Sequence, residues 1–286
     1  MNLTRHISKY QNINFEKYNA WHHDGVRLGF VTAAIEQICI EEGIFQKKKG
    51  ILSTSIVNKR KPIALTEKLF HLKNILIERS ILNPSRNELF PLKAHPGGKS
   101  LGEIDRQLTP VLGTLTEGVH LNGFFCDGQD LKMWVARRAK HRIAFPGRLD
   151  NLVGGGQPSG ITIYENLKKE SHEEAGIPLN LLSKAISVGC VNYSYSDSLG
   201  LRRDTLYIYD LKLDPAFKPV CNDGEVETFS LLNFKDVLQI VTETDEFKSN
   251  CNLIIIDFAI RHGFLNPDQN KDYLSLCNGL RQLKDI

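Results

Sequence analysis

Between Thr162 and Pro178 the chain spells out a helix with both ends marked. Thr162 followed three residues later by Glu165 is a capping box, in which the hydroxyl and the carboxylate each satisfy an amide of the first turn. Gly176, with Ile177 and Pro178 behind it, is a stop signal. Inside the helix, Glu170, Glu173 and Glu174 stand at i, i+3 and i+4, so their carboxylates share one face. Three like charges so placed weaken a helix, and Lys168 and Lys169 are too few to neutralise them. A hard divalent cation held by oxygen ligands is the natural counter-charge. Upstream, Gly154, Gly155 and Gly156 let backbone approach closely, so the Gly154 carbonyl is a candidate to complete a metal's shell. For the triplet alone, an ordinary solvated helix face remains the alternative.

Strand-like segments surround this helix. Period-two alternation marks residues 118–125, and 132–137, 185–191, 204–211 and 229–233 also read as strands. A late helix is expected over 253–263. In the first part, Val31, Ala34, Ile35, Ile38 and Cys39 predict a helix over 30–42. A strand over 51–57, a helix over 65–78, a long loop over 84–99 and a helix over 101–112 follow. The expected class is α+β, a mixed sheet flanked by helices. The expected domains are 1–120 and 121–286.

Composition narrows the function classes. With 41% hydrophobic and 24% charged residues and a net charge of +3, the chain has the profile of a globular protein and not of a dedicated nucleic-acid binder. Residues 1–126 carry 17 Lys and Arg against 11 Asp and Glu, and residues 127–286 carry 19 against 22, so the first part is +6 and the second −3. The basic half either attracts a phosphorylated substrate or is plain solvated surface. No signal-peptide core is seen, and the longest apolar stretches are broken by Glu36, Gln37 and Asp257, so no membrane association is expected. Six scattered cysteines without a Cys-x-x-Cys pair argue against a conventional zinc site. They fit reduced, buried thiols in a cytoplasmic setting.

The segment 155–177 resembles the Nudix box, G-x5-E-x7-R-E-U-x-E-E-x-G-U, where U is aliphatic. Gly155, Glu170, Glu173, Glu174, Gly176 and Ile177 fit, and Lys169 replaces the Arg. Ile161 stands where the first Glu belongs, and Ser171 replaces an aliphatic residue. Further runs are similar to one Nudix branch, whose members occur alone or fused to thiamine pyrophosphokinase and carry an extra N-terminal domain. They are Gly118-Val-His-Leu-Asn-Gly, Trp134-Val-Ala-Arg-Arg, Phe145-Pro-Gly-Arg-Leu-Asp-Asn-Leu-Val-Gly-Gly-Gly, Arg203-Asp-Thr-Leu-Tyr-Ile-Tyr-Asp-Leu, Asp223-Gly-Glu-Val-Glu-Thr-Phe and Phe247-Lys-Ser-Asn-Cys.

This resemblance implies an α/β/α Nudix sandwich with an additional N-terminal α/β domain. It implies metal-dependent hydrolysis of thiamine diphosphate, or of its oxidised or deaminated analogues, to the monophosphate plus phosphate. Mg²⁺ or Mn²⁺ would be held by Glu170, Glu173 and Glu174, joined by a carboxylate from a later loop, for which Glu225 is preferred to Glu227. Glu170 is one candidate for the base that activates water. Arg138, Arg202 and Arg203 are candidates for holding phosphate or are structural ion pairs. Tyr195, Tyr193 and Phe145 either stack on a heteroaromatic ring or fill the core, and His120 with Asn122 either lines a pocket or is buried. His172 points away from Glu173 and is no ligand.

Other readings stay open: a Nudix hydrolase of another nucleoside or organic diphosphate, or a catalytically weak diphosphate-binding module, to which Ile161 and Ser171 lend support. An isopentenyl diphosphate isomerase would need a cysteine in the glycine loop, where none stands. The expected partner is a small-molecule diphosphate, with no nucleic acid and no membrane, and a homodimer is left open.

Overall fold

Strands occur in both halves of the chain and sort into separate sheets. A computed structural model describes residues 2–54, 63–84, 88–128, 130–142 and 144–283. The order begins α1 (Thr4–Lys9), β1 (Tyr18–His23), β2 (Val26–Thr32), α2 (Ala33–Glu41), β3 (Phe45–Lys48) and β4 (Ile51–Thr54). It continues with α3 (Ile63–Glu78), β5 (Leu89–Pro91), β6 (Glu103–Asp105) and α4 (Leu108–Val111). The first four strands form a sheet in the order β2–β1–β4–β3. Asp24 and Gly25 join β1 to β2, both with positive φ (47° and 80°), as a tight hairpin requires. Trp21, Leu28, Cys39 and Leu52 pack with Leu69, Leu72 and Leu76 of α3 into one core.

Several expectations are corrected in this part. The helix expected over 30–42 starts only at Ala33, because β2 runs to Thr32, whose hydroxyl caps α2. Val31 at the strand's end and Ile35 in the helix are both buried, so two elements together imitated one helical face. The helix expected over 101–112 is β6 followed by the short α4. Asp105 turns the chain there: one carboxyl oxygen accepts from the Gln107 amide (2.9 Å) and the other from buried Lys73 (2.6 Å). The loop expected over 84–99 contains β5, and residues 55–57 of the strand expected over 51–57 lie outside the described residues.

The second part comprises β7 (Leu115–Asp127), β8 (Asp130–Arg138), β9 (Leu149–Asp150), β10 (Val153–Gly156), α5 (Ile163–Ala175), α6 (Leu179–Leu182) and β11 (Ile186–Ser196). After it come β12 (Leu201–Lys212), β13 (Val226–Asn233), α7 (Phe234–Glu243), α8 (Ser249–Arg261) and α9 (Tyr273–Gly279). Its seven-stranded mixed sheet has the order β11–β12–β7–β8–β13, with β10 beside β7 and β9 beside β8. β12 and β7 run parallel, and the other pairs are antiparallel. Val119, Leu121 and Leu211 pack on one face with Leu167 and Ala175 of α5 and Leu182 of α6. On the other face Ile208 meets Phe234 of α7, Ile254 and Phe258 of α8, and Ile7 of α1. A sheet between helical layers is the expected α+β arrangement.

The division expected at 120/121 falls inside β7. Residues Gly118–Leu121 are paired on both sides, with β10 and with β12, and the change of sheet comes before Leu115. Among the described residues no helix is long and apolar enough to cross a membrane. All six cysteines are free; Cys39 and Cys251 are buried, and the other four are half-buried instead of fully enclosed.

Candidate active site

Helix α5 occupies the span its end signals require. The Thr162 hydroxyl accepts from the Glu165 amide (3.2 Å), Glu165 Oε2 accepts from the Thr162 amide (2.7 Å), and Gly176 closes the helix at φ 62°. Leu167, Ser171, Glu174 and Ala175 form its buried face, so Glu174 enters the protein while Glu170 and Glu173 flank it toward the surface. Beside the helix runs the glycine strand β10, and each glycine yields its side-chain space to a different neighbour. A Cβ on Gly155 would lie 2.4 Å from Glu170 Cδ, one on Gly154 2.8 Å from His120 Cε1, and one on Gly156 2.7 Å from Phe90 Cζ. The Gly154 amide donates to Glu174 Oε2 at 2.8 Å.

The charges at this spot are crowded. Lys169 Nζ donates to Glu170 Oε1 (3.1 Å) and Glu173 Oε2 (2.8 Å). Burial pushes the Glu170 carboxyl up, Lys169 pulls it back, and Glu173 and Glu225 push it further up. Glu174 is held well above the usual carboxylate range by burial first and by the charge of Asp150 next, against the Gly154 amide. The carboxylates of Glu173 and Glu170 raise the Lys169 ammonium despite its partial burial.

The loop before β13 brings Glu225 to this helix. Asn222 ties it down, its amide donating to the Glu173 carbonyl (2.8 Å) and its side chain to the His172 carbonyl (2.7 Å). Asp223 Oδ1 accepts from the Glu225 amide (2.8 Å), and the Glu225 carbonyl accepts from the Ala139 amide (2.9 Å). The Glu225 carboxylate is ion-paired with Arg142 and lies close enough to Glu170 to raise its pKa. A bulge between Val226 and Thr228 breaks the strand's alternation at Glu227, which is exposed. Glu170 lies over Gly155, Glu173 shares Lys169 with it and Glu225 stands on the adjoining loop. These are hard oxygen donors of the kind that suits a divalent cation such as Mg²⁺ or Mn²⁺, though among the described residues no three of them bring their oxygens within 4.8 Å of one another. Gly154 offers its carbonyl from the glycine strand, with its amide already engaged by Glu174.

Beneath the glycine strand lies a buried polar network. Among the described residues, His120, Asp150 and Cys251 place ligand atoms within 4.8 Å of one another. Asp150 already has cationic partners, Arg138 Nη1 at 2.9 Å and Lys248 Nζ at 3.5 Å, and it accepts from Cys251 Sγ at 2.8 Å. Burial alone would raise its pKa, but Lys248, His120 and Arg138 hold it down at about 2. A metal would compete with two charges already in place, so the cluster is a structural ion-pair core. His120 Nδ1 donates to Asn151 Oδ1 (2.9 Å); burial, and then Lys248, lower its pKa to about 4, which keeps it neutral.

The structure therefore separates the residues expected to hold substrate. His120 is buried beneath Gly154, on the opposite side of the sheet from Val119 and α5. Arg138 is buried against Asp150, the ion-pair alternative. Arg202 pairs with Asp197 (2.5 Å), Arg203 is buried with its guanidinium 5.1 Å from the Phe30 ring centre, and Tyr195 packs against Tyr10 (5.5 Å) and Tyr193 (6.2 Å). These three stand at the β11–β12 hairpin. Arg203 pairs with Leu115, three to five positions before the residues facing the glycine strand, which is about 10–16 Å along the sheet. Two residues at the carboxylates went unnoticed in the sequence, Arg142 and Asn222. Arg142 ends the basic run Arg137-Arg138-Ala139-Lys140-His141-Arg142, and that run was the available signal; Asn222 left none.

No protein-family model matches the chain. It is 40% identical over 223 residues to Nudix hydrolase 20, chloroplastic, of Arabidopsis thaliana, covering 78% of this chain and 59% of that protein. To Nudix hydrolase 24, chloroplastic, of the same plant it is 40% identical over 222 residues, covering 77% and 60%. An uncharacterised protein of Saccharomyces cerevisiae is 31% identical over 305 residues, covering 96% of this chain and 86% of that one. The chain spans about 60% of the length of the two plant relatives. Over more than three quarters of its own residues, which include the carboxylate helix and the glycine strand, the chain is thus similar to proteins named Nudix hydrolases.

Proposed function

We propose that this chain hydrolyses a diphosphate linkage with a divalent cation, Mg²⁺ or Mn²⁺, and that its substrates are thiamine diphosphate or the oxidised or deaminated analogues, converted to the monophosphate and phosphate. The observation that carries the reaction class is the carboxylate face of α5 against the glycines of β10, with Glu170 packed over Gly155, Glu174 bonded to the Gly154 amide and Glu225 on the adjoining loop. A cation bound there would neutralise diphosphate oxygens and lower the pKa of a water. Glu170, whose carboxyl is raised by burial, is one candidate for the base that would take the proton of a water attacking phosphorus. Lys169, bridging Glu170 and Glu173, holds both in position. Ile161, where the first Glu of the motif would stand, is exposed and touches none of these groups through a hydrogen bond; only its carbonyl is used, accepting from Gln157 (2.7 Å).

The choice of thiamine diphosphate rests on the likeness outside the carboxylate helix. Tyr195 is engaged by Tyr10 and Tyr193, and exposed Phe145 faces Arg5, His6, Lys9 and Phe247 instead of the carboxylates, so neither ring is assigned to the heterocycle. Phosphate release is to be measured with thiamine diphosphate, its oxy and oxo analogues, ADP-ribose and a nucleoside triphosphate. The thiamine compounds should give the highest kcat/KM, and excess EDTA should abolish turnover. Glu173→Gln and Glu174→Gln should each lower kcat by orders of magnitude, and Lys169→Ala should cost less. Preference for the nucleotides would overturn the substrate; full activity in EDTA would overturn the metal.

A further inference from the structure

Two internal cations occupy the oxygens that a metal would need. Lys169 is on the helix with the carboxylates it bonds, but Arg142 reaches Glu225 from a separate element, the turn after β8. That turn is held at its base by the Ala139 amide on the Glu225 carbonyl (2.9 Å) and closed by the Arg142 amide on the Ala139 carbonyl (3.2 Å). The backbone bonds fix where Arg142 starts; its guanidinium is held by Glu225 and is about one third exposed. A divalent cation on Glu225 draws on the carboxylate's negative charge and repels the guanidinium beside it, so a cation there loosens Arg142 from the oxygen it holds. The loosened group stays within a side chain's length of the carboxylates. A planar fork of N–H donors is suited to two oxygens of one phosphoryl group.

We propose that Arg142 is a cation-gated clamp for the substrate diphosphate: it pairs with Glu225 in the metal-free site and transfers to the phosphoryl oxygens when a divalent cation binds Glu225. This rests on the proposed metal-dependent reaction. It gives the site an order of binding, metal first and diphosphate second. It also assigns to Arg142 the phosphate contact that Arg138, Arg202 and Arg203, engaged by Asp150, Asp197 and Phe30, do not make in this structure.

The test measures Mn²⁺ binding to the metal-free full chain by electron paramagnetic resonance, and methylenediphosphonate binding to the Mn²⁺-loaded chain by calorimetry, in wild type, Arg142→Gln and Arg142→Lys. Arg142→Gln should bind Mn²⁺ about two- to fivefold more tightly, because a competing surface ion pair is gone. The same variant should bind the diphosphonate about ten- to hundredfold more weakly, the worth of a charged hydrogen-bonded contact. Arg142→Lys should restore the competition with Mn²⁺ but only part of the diphosphonate affinity. Unchanged diphosphonate binding in Arg142→Gln, or weaker Mn²⁺ binding, overturns the clamp and leaves the reaction standing. Absence of Mn²⁺ binding by the wild-type chain overturns the metal-dependent reaction and the clamp with it.

Discussion

The Gly154 amide donates to Oε2 of Glu174 at 2.8 Å, so the glycine strand and the carboxylate helix are joined by a buried hydrogen bond. The bond places the one carboxylate of the helix face that points inward, and from it the spacing of the helix carries Glu170 and Glu173 to their places over Gly155 and beyond. Position 155 then has no room of its own.

That lack of room gives a first prediction. In Gly155→Ala the new methyl would fall 2.4 Å from Glu170 Cδ. The far end of Glu170 can move, so the protein should fold with near-normal melting. Its displaced carboxylate should lower kcat sharply and weaken Mn²⁺ binding. Wild-type kcat in a folded Gly155→Ala protein would show that Glu170 does not work from the position described.

Ser171 gives a second. Its hydroxyl is buried with no hydrogen-bond partner, on the helix face that packs against the sheet. An unsatisfied buried hydroxyl costs about 1–3 kcal/mol, and alanine is the better helix former. Ser171→Ala should therefore raise the unfolding free energy by about 1 kcal/mol or more, read from urea denaturation. A destabilised variant would mean that the hydroxyl has a partner.

The third concerns pH. Burial lowers the His120 pKa from 6.5 to about 4, so between those values the unfolded chain takes up a proton that the folded chain refuses. His120's contribution is thus complete above pH 6.5 and is lost as pH falls through this window, by up to about 3 kcal/mol. Glu174, raised by burial, acts in the opposite sense: its contribution is present below the ordinary carboxylate pKa and is lost as pH rises. Urea unfolding of metal-free protein from pH 4 to 7 should show that His120→Gln loses stability less steeply on acidification than wild type. Identical slopes would mean that His120 is protonated in the fold or reached by water.

Some of this was determined by the sequence alone. The span of α5 followed from Thr162, Glu165 and Gly176, because capping and termination are made by residues a few positions apart. The shared face of Glu170, Glu173 and Glu174 followed from helical spacing. The main sheet's longer strands were legible in the same way, from local alternation. What only the tertiary structure decided involves residues far apart in the chain. The single helix expected over 30–42 was a strand and a helix burying Val31 and Ile35 in one core. The expected division at 120/121 lies within β7, which pairs with β10 and β12, pairings that no local pattern announces. Arg138, Arg202 and Arg203 looked suited to phosphate by chemistry, yet each had a partner supplied by another segment: Asp150, Asp197 or Phe30. Glu225 and Glu227 were indistinguishable in an extended strand until the bulge at 227 and the two bonds of Asn222 to the end of α5 separated them. A short-range signal is written in neighbouring residues, whereas an ion pair between positions 142 and 225 exists only once the sheet has brought β8 and β13 side by side.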